Sequence, residues 1–171
     1  MDVLSADELL ERIQQRFGDK LKEAEVKERA MTDAPPPIRR VWVRVDREDF
    51  RDLVKFLMEF DFPHLAVASA EDMGDEIELI YHMSLFQGKK FKEVYVNIKV
   101  RLPKNDPKIP TITDLIPGAL STELEKQEMI GVDVEGIPKE RLFLPWDFPE
   151  GVYPWRRDET GPKDDMVKYV R

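Results

Sequence analysis

The sequence predicts an α+β domain, with helices packed on one mixed sheet, followed by a proline-rich extended C-terminal tail. Two segments repeat apolar residues at helical spacing, and five others have the composition and alternation of strands. Nine of the thirteen prolines lie from Pro103 onward, where they interrupt regular structure. We therefore expect a folded domain over residues 1–131 and an extended docking tail over residues 132–171.

The first helix is predicted from its start and stop signals. Ser5 and Glu8 have the spacing of a capping box, in which each side chain bonds the other residue's backbone N–H. Gly18 ends the apolar pattern. The predicted apolar face consists of Ala6, Leu9, Leu10, Ile13 and Phe17.

Two strands and a second helix are expected next. Residues 21–31 are highly charged, which favours an edge strand, and residues 32–37 form a loop because they contain three consecutive prolines. Residues 38–45 alternate as a strand. Asp46 is the predicted cap of a helix that ends near residues 61–63.

Three further strands and one helix complete the predicted domain. The strands span residues 65–69, 76–85 and 91–102, and a loop containing Gly88 joins the last two as a hairpin. The helix spans residues 120–130, since Pro117 and Gly118 precede it and Gly131 follows it.

Composition excludes several classes of function. Asp and Glu exceed Lys and Arg by 35 to 27, so the net charge of −8 disfavours binding to nucleic-acid phosphates. The absence of cysteine excludes disulfides, thiol nucleophiles and iron–sulfur ligation by this chain. No signal peptide and no apolar run of about 20 residues occurs, so we expect a cytoplasmic protein that meets a membrane only through partners.

Candidate catalytic residues are few. His64 and His82 are isolated in the sequence and are more typical of structural or surface histidines than of a base or metal ligand. The scattered glycines form no phosphate-binding loop. The remaining candidate is a carboxylate cluster on the third helix, which leaves open a small stand-alone carboxylate-based enzyme. It consists of Glu123, Glu125 and Glu128.

Five motifs, in this order and spacing, resemble one known family. They are residues 81–85, 96–103, 105–112, 117–119 and 123–132, followed by Gly136-Ile137-Pro138 and by residues 141–146. The family pattern is a strand ending in Leu-Pro, then D-x-P-x-V-P-S, Pro-Gly-Ala and an E-R-E-x-x-D-x-x-G helix. The sequence thus resembles the 30 kDa subunit family of respiratory complex I, the NADH-quinone oxidoreductase, over roughly residues 38–157.

Four departures from the family pattern are informative. Leu124 replaces its Arg, Glu128 its Asp, Ser121 its Trp and Ile137 its His. Because quinone-reducing members keep those residues more faithfully, the resemblance is nearest to the compact archaeal type. That type belongs to a membrane-bound [NiFe] hydrogenase or its sulfur-reducing relative. A heat-loving source also suits the Lys/Glu content.

The resemblance implies a non-catalytic structural subunit of an oxidoreductase complex, with no cofactor, metal or catalytic residue of its own. Its implied partners are the large [NiFe]-type or quinone-site subunit and the small iron–sulfur subunit, on the cytoplasmic face of the cell membrane. The tail would dock through Trp146, Phe148, Tyr153 and Trp155, unless these aromatics fold back onto their own sheet. A free adaptor unrelated to respiration is a further alternative. The family-motif and interface candidates are Glu123, Glu125, Glu128, Gly131, Pro138, Arg141, Trp146, Trp155, Arg156 and Arg157.

Overall fold

The computed structural model describes residues 3–29, 38–89, 92–163 and 166. These residues form three α-helices and seven strands, together with two short 3-10 turns. In chain order the elements are α1 (Ala6–Phe17), β1 (Leu21–Arg29), β2 (Ile38–Val45), α2 (Arg47–Met58), β3 (His64–Asp72), β4 (Glu76–Leu85), β5 (Val94–Pro103), β6 (Lys108–Pro110), α3 (Leu120–Ile130) and β7 (Asp133–Glu135).

The main sheet has five strands in the order β1-β2-β5-β4-β3. Strands β2 and β5 are parallel, and the other neighbouring pairs are antiparallel. The parallel pair is possible because α2, β3 and β4 lie between these strands in the chain and supply the crossover. The predicted α+β class with one mixed sheet is confirmed, and β1 is an edge strand as its charges indicated.

The core lies between this sheet and the apolar faces of α1 and α2. Leu9 and Ile13 of α1 are fully buried, as are Leu53 and Leu57 of α2. The sheet contributes alternate residues of each central strand, because successive side chains of a strand point to opposite faces. These buried residues include Val41, Val43, Leu79, Tyr81, Ile98 and Val100.

Most predicted boundaries agree with the structure. The capping box of Ser5 and Glu8 is present, and α3 has the bounds expected from Pro117 and Gly131. Strand β3 extends beyond the predicted residues 65–69, to His64–Asp72. The predicted loop at residues 32–37 lies outside the described residues, as do residues 90 and 91 of the hairpin region.

Two features differ from the sequence prediction. Asp46 occupies the N-cap position of α2, but its side chain accepts no hydrogen bond from the helix. Instead its carboxylate lies 3.2 Å from Lys22 Nζ, so an ion pair with β1 replaces the expected cap. Strands β6 and β7 form a separate parallel pair, which places Asp133–Glu135 of the predicted tail in regular structure.

Among the helices that the structure describes, none is long and apolar enough to cross a membrane.

Candidate functional site

Helix α3 carries an unusual number of buried polar side chains. Glu123, Lys126 and Glu128 are all buried, although residues of this kind normally face water. The Thr122 hydroxyl also contacts the sheet, where it accepts a hydrogen bond from the Ala68 N–H on the edge strand β3. Each of these side chains joins α3 to a different segment of the chain, so the helix connects segments that are distant in the sequence.

Glu123 fixes the segment that follows β6. Its carboxylate accepts hydrogen bonds from Thr111 Oγ1 at 2.5 Å and the Ile112 N–H at 3.1 Å, and the Tyr81 hydroxyl lies 3.5 Å away. Burial raises the pKa of Glu123 above its ordinary value. Burial, together with this carboxylate, raises the pKa of the Tyr81 hydroxyl well above its ordinary value. Glu123 is therefore an internal acceptor that holds a loop.

Glu128 similarly holds a loop of the predicted tail. Its carboxylate accepts hydrogen bonds from three successive backbone N–H groups, those of Leu142, Phe143 and Leu144, the last two at 2.8 and 2.9 Å. Successive N–H groups that converge on one anion form a backbone nest, and bonds to an ionised acceptor are stronger than neutral ones. Glu128 thus anchors the start of this loop to α3.

Arg141 holds the rest of the same loop. Its guanidinium Nη1 donates to the backbone carbonyls of Pro145, Trp146 and Phe148 at 3.1, 3.3 and 2.7 Å. We call residues 141–148 the arch. The arch has no helix or strand. The hydrogen bonds of Glu128 and Arg141 therefore take the place of the regular backbone hydrogen bonds that would otherwise fix its conformation.

The arch presents large apolar side chains to solvent. Leu142 is 57% exposed, Phe143 47% and Trp146 90%. Three such side chains within five residues, on a loop held by side-chain hydrogen bonds, are typical of an interaction surface. Of the three, only Trp146 was predicted from the sequence as an interface residue.

The chain beyond the arch returns to its own domain. The Trp155 N–H donates to the Met129 carbonyl at 2.8 Å, and buried Arg156 donates through Nε to the Ile130 carbonyl at 2.6 Å. The Lys126 ammonium lies 4.8 Å from the centre of the Trp155 ring, a cation–π arrangement. We call residues 153–161 the latch, because they fasten the tail to the end of α3.

A second set of contacts fastens the latch to the sheet. Lys104 Nζ lies 2.7 Å from Asp72 Oδ1 and 2.5 Å from Asp158 Oδ2, and the Arg157 N–H donates to Asp72 Oδ2 at 2.8 Å. Burial alone would raise the pKa of Asp72, but the hydrogen bonds from Lys104, Arg157 and Gly74 outweigh it and lower the pKa to about 2. The hydrogen bond from Lys104 likewise lowers the pKa of Asp158.

We expect the Asp72 contacts to be lost in acid. Because its pKa falls from 3.8 to about 2 on folding, Asp72 adds stability above pH 3.8 that disappears as the pH drops toward 2. By linkage this contribution is about 2 kcal/mol at pH 7. Asp72→Asn should therefore lower the free energy of unfolding at pH 7 by about this amount and lose less stability than the wild type between pH 4 and 2. Urea unfolding across this pH range measures both.

Asp75 provides the matched control for this experiment, because it lies in the same turn and is exposed. Asp75→Asn should change the free energy of unfolding by less than about 0.5 kcal/mol. An acid profile of Asp72→Asn that coincides with the wild-type profile would show that Asp72 does not stabilise the latch.

The structure separates the residues of the predicted carboxylate cluster. Glu123 faces the loop after β6, Glu128 faces the arch, and Glu125 pairs with the buried Lys126. Burial lowers the pKa of Lys126. Each carboxylate has its own partner, so the three do not share one reaction centre.

The two histidines occupy different positions on the sheet. His64 is exposed at the start of β3. On β4, His82 Nε2 lies 2.8 Å from Ser69 Oγ and its Nδ1 lies 2.6 Å from Asn97 Oδ1. In the part of the chain that the structure describes, no three His, Asp or Glu side chains are grouped so as to hold a metal ion.

The other interface candidates divide between the arch and the latch. The Pro138 carbonyl accepts from Gln127 Nε2 at 2.9 Å just before the arch, and Gly131 contacts the Tyr153 ring of the latch. Arg156 is buried, whereas the Arg157 guanidinium is exposed, 3.7 Å from Glu71. Trp155 remains 39% exposed above Lys126. Whether any of these residues contacts a neighbour stays a prediction.

Some residues important to this region were missed from the sequence. Leu142 and Phe143 stand in a Leu-Phe-Leu run directly before Pro145 that fits neither a helix nor a strand, and this was the available signal. Lys104, Asp72 and Asp158 gave no local signal, because they lie far apart in the chain and meet only in the fold.

Over the residues that the structure describes, the fold is α+β, the latch contacts α3 and the sheet, and the arch exposes large apolar side chains. The chain belongs to the family described as the respiratory-chain NADH dehydrogenase 30 Kd subunit, whose model matches residues 43–165. This confirms the family resemblance found in the sequence.

Individual relatives come from several complexes. The membrane-bound hydrogenase subunit beta of Pyrococcus furiosus is 45% identical over 131 residues, which are 75% of each chain. Formate hydrogenlyase subunit 5 of Escherichia coli is 31% identical over 63% of this chain, but the match spans only 19% of that longer protein. A chain in the structure of the membrane-bound sulfane sulfur reductase, an archaeal respiratory membrane complex, superposes with a TM-score of 0.64 at 24% identity. That superposition covers 96% of this chain and 98% of the other.

Proposed function

We propose that this chain is a non-catalytic structural subunit of a membrane-bound, complex I-like oxidoreductase of the energy-converting hydrogenase type. In this proposal it stabilises the association of the large catalytic subunit with the small iron–sulfur subunit. Family membership and the 45% identity to a hydrogenase subunit support the kind of complex. A related sulfur-reducing or NADH-quinone oxidoreductase complex is the alternative, supported by the likeness in fold to the sulfur reductase chain.

The observation that carries the docking role is the arch. It exposes Leu142, Phe143 and Trp146 while Glu128 and Arg141 hold its backbone. Solvating such side chains in water is unfavourable, so a partner that buried them would gain binding free energy. A peripheral position on the cytoplasmic face of the membrane, reached through partner subunits, follows from this proposal.

The test is purification from the native membrane in mild detergent through an N-terminal tag on this chain, with mass spectrometry of the co-purified proteins. We expect a large metal-site subunit, a small iron–sulfur subunit and membrane subunits. Recovery of the tagged chain alone would refute the proposal.

Trp146→Ala should lower the recovery of these subunits at least tenfold, because a central aromatic anchor typically contributes about 2 kcal/mol or more to binding. The unfolding midpoint of the isolated chain should not change, since the Trp146 side chain is 90% exposed. Recovery is measured by quantitative mass spectrometry against the tagged chain.

Phe62→Ala is the control, because Phe62 is also a strongly exposed aromatic, in the turn between α2 and β3. Equal recovery from both variants would show that the arch is not the docking surface. Deletion of residues 146–171 is less informative, because it also removes the latch and so combines docking with folding.

A further inference from the structure

The basic and acidic side chains around the arch differ in whether they have partners within the described part of the chain. The cations of residues 139–150, Lys139 and Arg141, are both engaged within the chain, Lys139 with Asp133 at 2.7 Å and Arg141 with backbone carbonyls of the arch. The acidic side chains here are Glu140, Asp147 and Glu150. All three belong to exposed residues, and none forms an ion pair with any residue in the described ranges 3–29, 38–89, 92–163 and 166. The arch therefore presents apolar side chains bordered by carboxylates that form no ion pair within the described part of the chain.

Apolar side chains can be buried in a membrane or in a cleft of another protein. The carboxylates beside the apolar side chains of the arch distinguish between these two surfaces. The cytoplasmic leaflet of a membrane is anionic and attracts basic segments, so it would repel these three exposed carboxylates. A protein cleft can instead place cations at its edge, where opposite charges guide association and fix the register. The charge pattern thus favours a protein partner over a lipid surface.

We propose that the arch enters an apolar cleft of a neighbouring protein subunit, and that Lys or Arg side chains on the rim of this cleft pair with Glu140, Asp147 and Glu150. Trp146 lies at the centre of the contact because it is the most exposed of the apolar side chains. This inference rests on the proposed function, since it specifies the partner surface at the same site.

The first test locates the partner of Trp146 directly. The photo-reactive substitution Trp146→p-benzoylphenylalanine is introduced into the tagged chain, and assembled complexes in native membranes are irradiated. The expected product is a covalent adduct with one peptide of one protein subunit, in which apolar residues are accompanied by Lys or Arg. Adducts with lipid, or with a peptide whose surroundings lack cations, would overturn the inference.

The second test concerns the carboxylates. The double variant Asp147→Lys/Glu150→Lys should weaken retention of the neighbouring subunits about tenfold at low salt, since like charges then face each other across the rim. Wild-type retention should fall with added salt, and retention of the variant should not. The control is Glu11→Lys/Glu59→Lys, which makes the same charge change at exposed positions on α1 and just after α2. Equal behaviour of the two double variants would overturn the inference.

The outcomes separate this inference from the function on which it rests. If the tagged wild-type chain recovers no other subunit, the proposed function fails and this inference fails with it. If the complex is recovered but Trp146 labels lipid or charge reversal has no specific effect, only the nature of the partner surface is refuted.

Discussion

Replacement of Gly131 by alanine should reduce the free energy of unfolding by about 2 to 4 kcal/mol. Gly131 ends α3 with φ of +73°, and its N–H donates to the Lys126 carbonyl. An L-residue is strained in this left-handed conformation. A Cβ at this position would also lie 2.7 Å from the Tyr153 ring, closer than packed atoms approach, and so would displace the start of the latch. Denaturant unfolding at neutral pH measures the loss.

Gly118→Ala is the matched control, because a Cβ there meets nothing within 4 Å and the backbone is not left-handed. It should change the free energy of unfolding by less than about 0.5 kcal/mol. The double variant Gly131→Ala/Tyr153→Ala removes the collision but keeps the backbone strain. If Gly131→Ala were as stable as Gly118→Ala, the close packing of the latch on α3 would be refuted.

The second large effect is expected at Glu123, where replacement by alanine should cost about 3 to 4 kcal/mol. The substitution leaves the Ile112 N–H and the Tyr81 hydroxyl without their acceptor inside the fold, while the Thr111 hydroxyl keeps only Thr113 Oγ1 as an acceptor. Ser121→Ala, at an exposed position on the same helix, should be nearly neutral. Chemical denaturation of the two variants gives the comparison, and equal stabilities would contradict an anchoring role for Glu123.

The pH dependence of Glu123→Gln gives an independent test of the buried carboxylate. Burial raises the pKa of Glu123 above 4.5, so its contribution to stability is fully present below pH 4.5 and declines as the pH rises through the raised value. Glutamine does not ionise in this range and retains one acceptor. Relative to the wild type, Glu123→Gln should therefore gain stability as the pH rises above 4.5. A constant difference would show that the pKa of Glu123 does not change on folding.

Local signals account for the elements that the sequence predicted well. The capping box defines the start of α1, and Pro117 and Gly131 border α3 although this helix has no clear apolar stripe. The buried polar residues of α3 were not predicted, because their partners Thr111, Leu142 and Phe143 lie on loops that only the tertiary fold brings near. The pair β6–β7 was missed for a similar reason, since three-residue strands carry too little alternation to be recognised.

The contact of the predicted interface residues with a partner stays a prediction, and their arrangement was not indicated by the sequence. Trp146 is exposed, whereas Tyr153 packs on Gly131 and Arg156 is buried against α3. Sequence alone left open whether the aromatics fold back or face a partner, because both outcomes follow from apolar residues separated by prolines. The structure divides them between the latch and the arch.

Glu128 and Arg141, which hold the arch, determine whether its conformational entropy is lost on folding or on binding. A loop that is disordered before contact gives up about 1–2 kcal/mol per residue at the moment of binding. Here Glu128 and Arg141 hold the arch in the folded chain, so its conformational entropy is already lost when the chain folds. Any partner of the arch therefore meets an ordered surface, and the heat capacity change of association should reflect the apolar area covered rather than coupled folding.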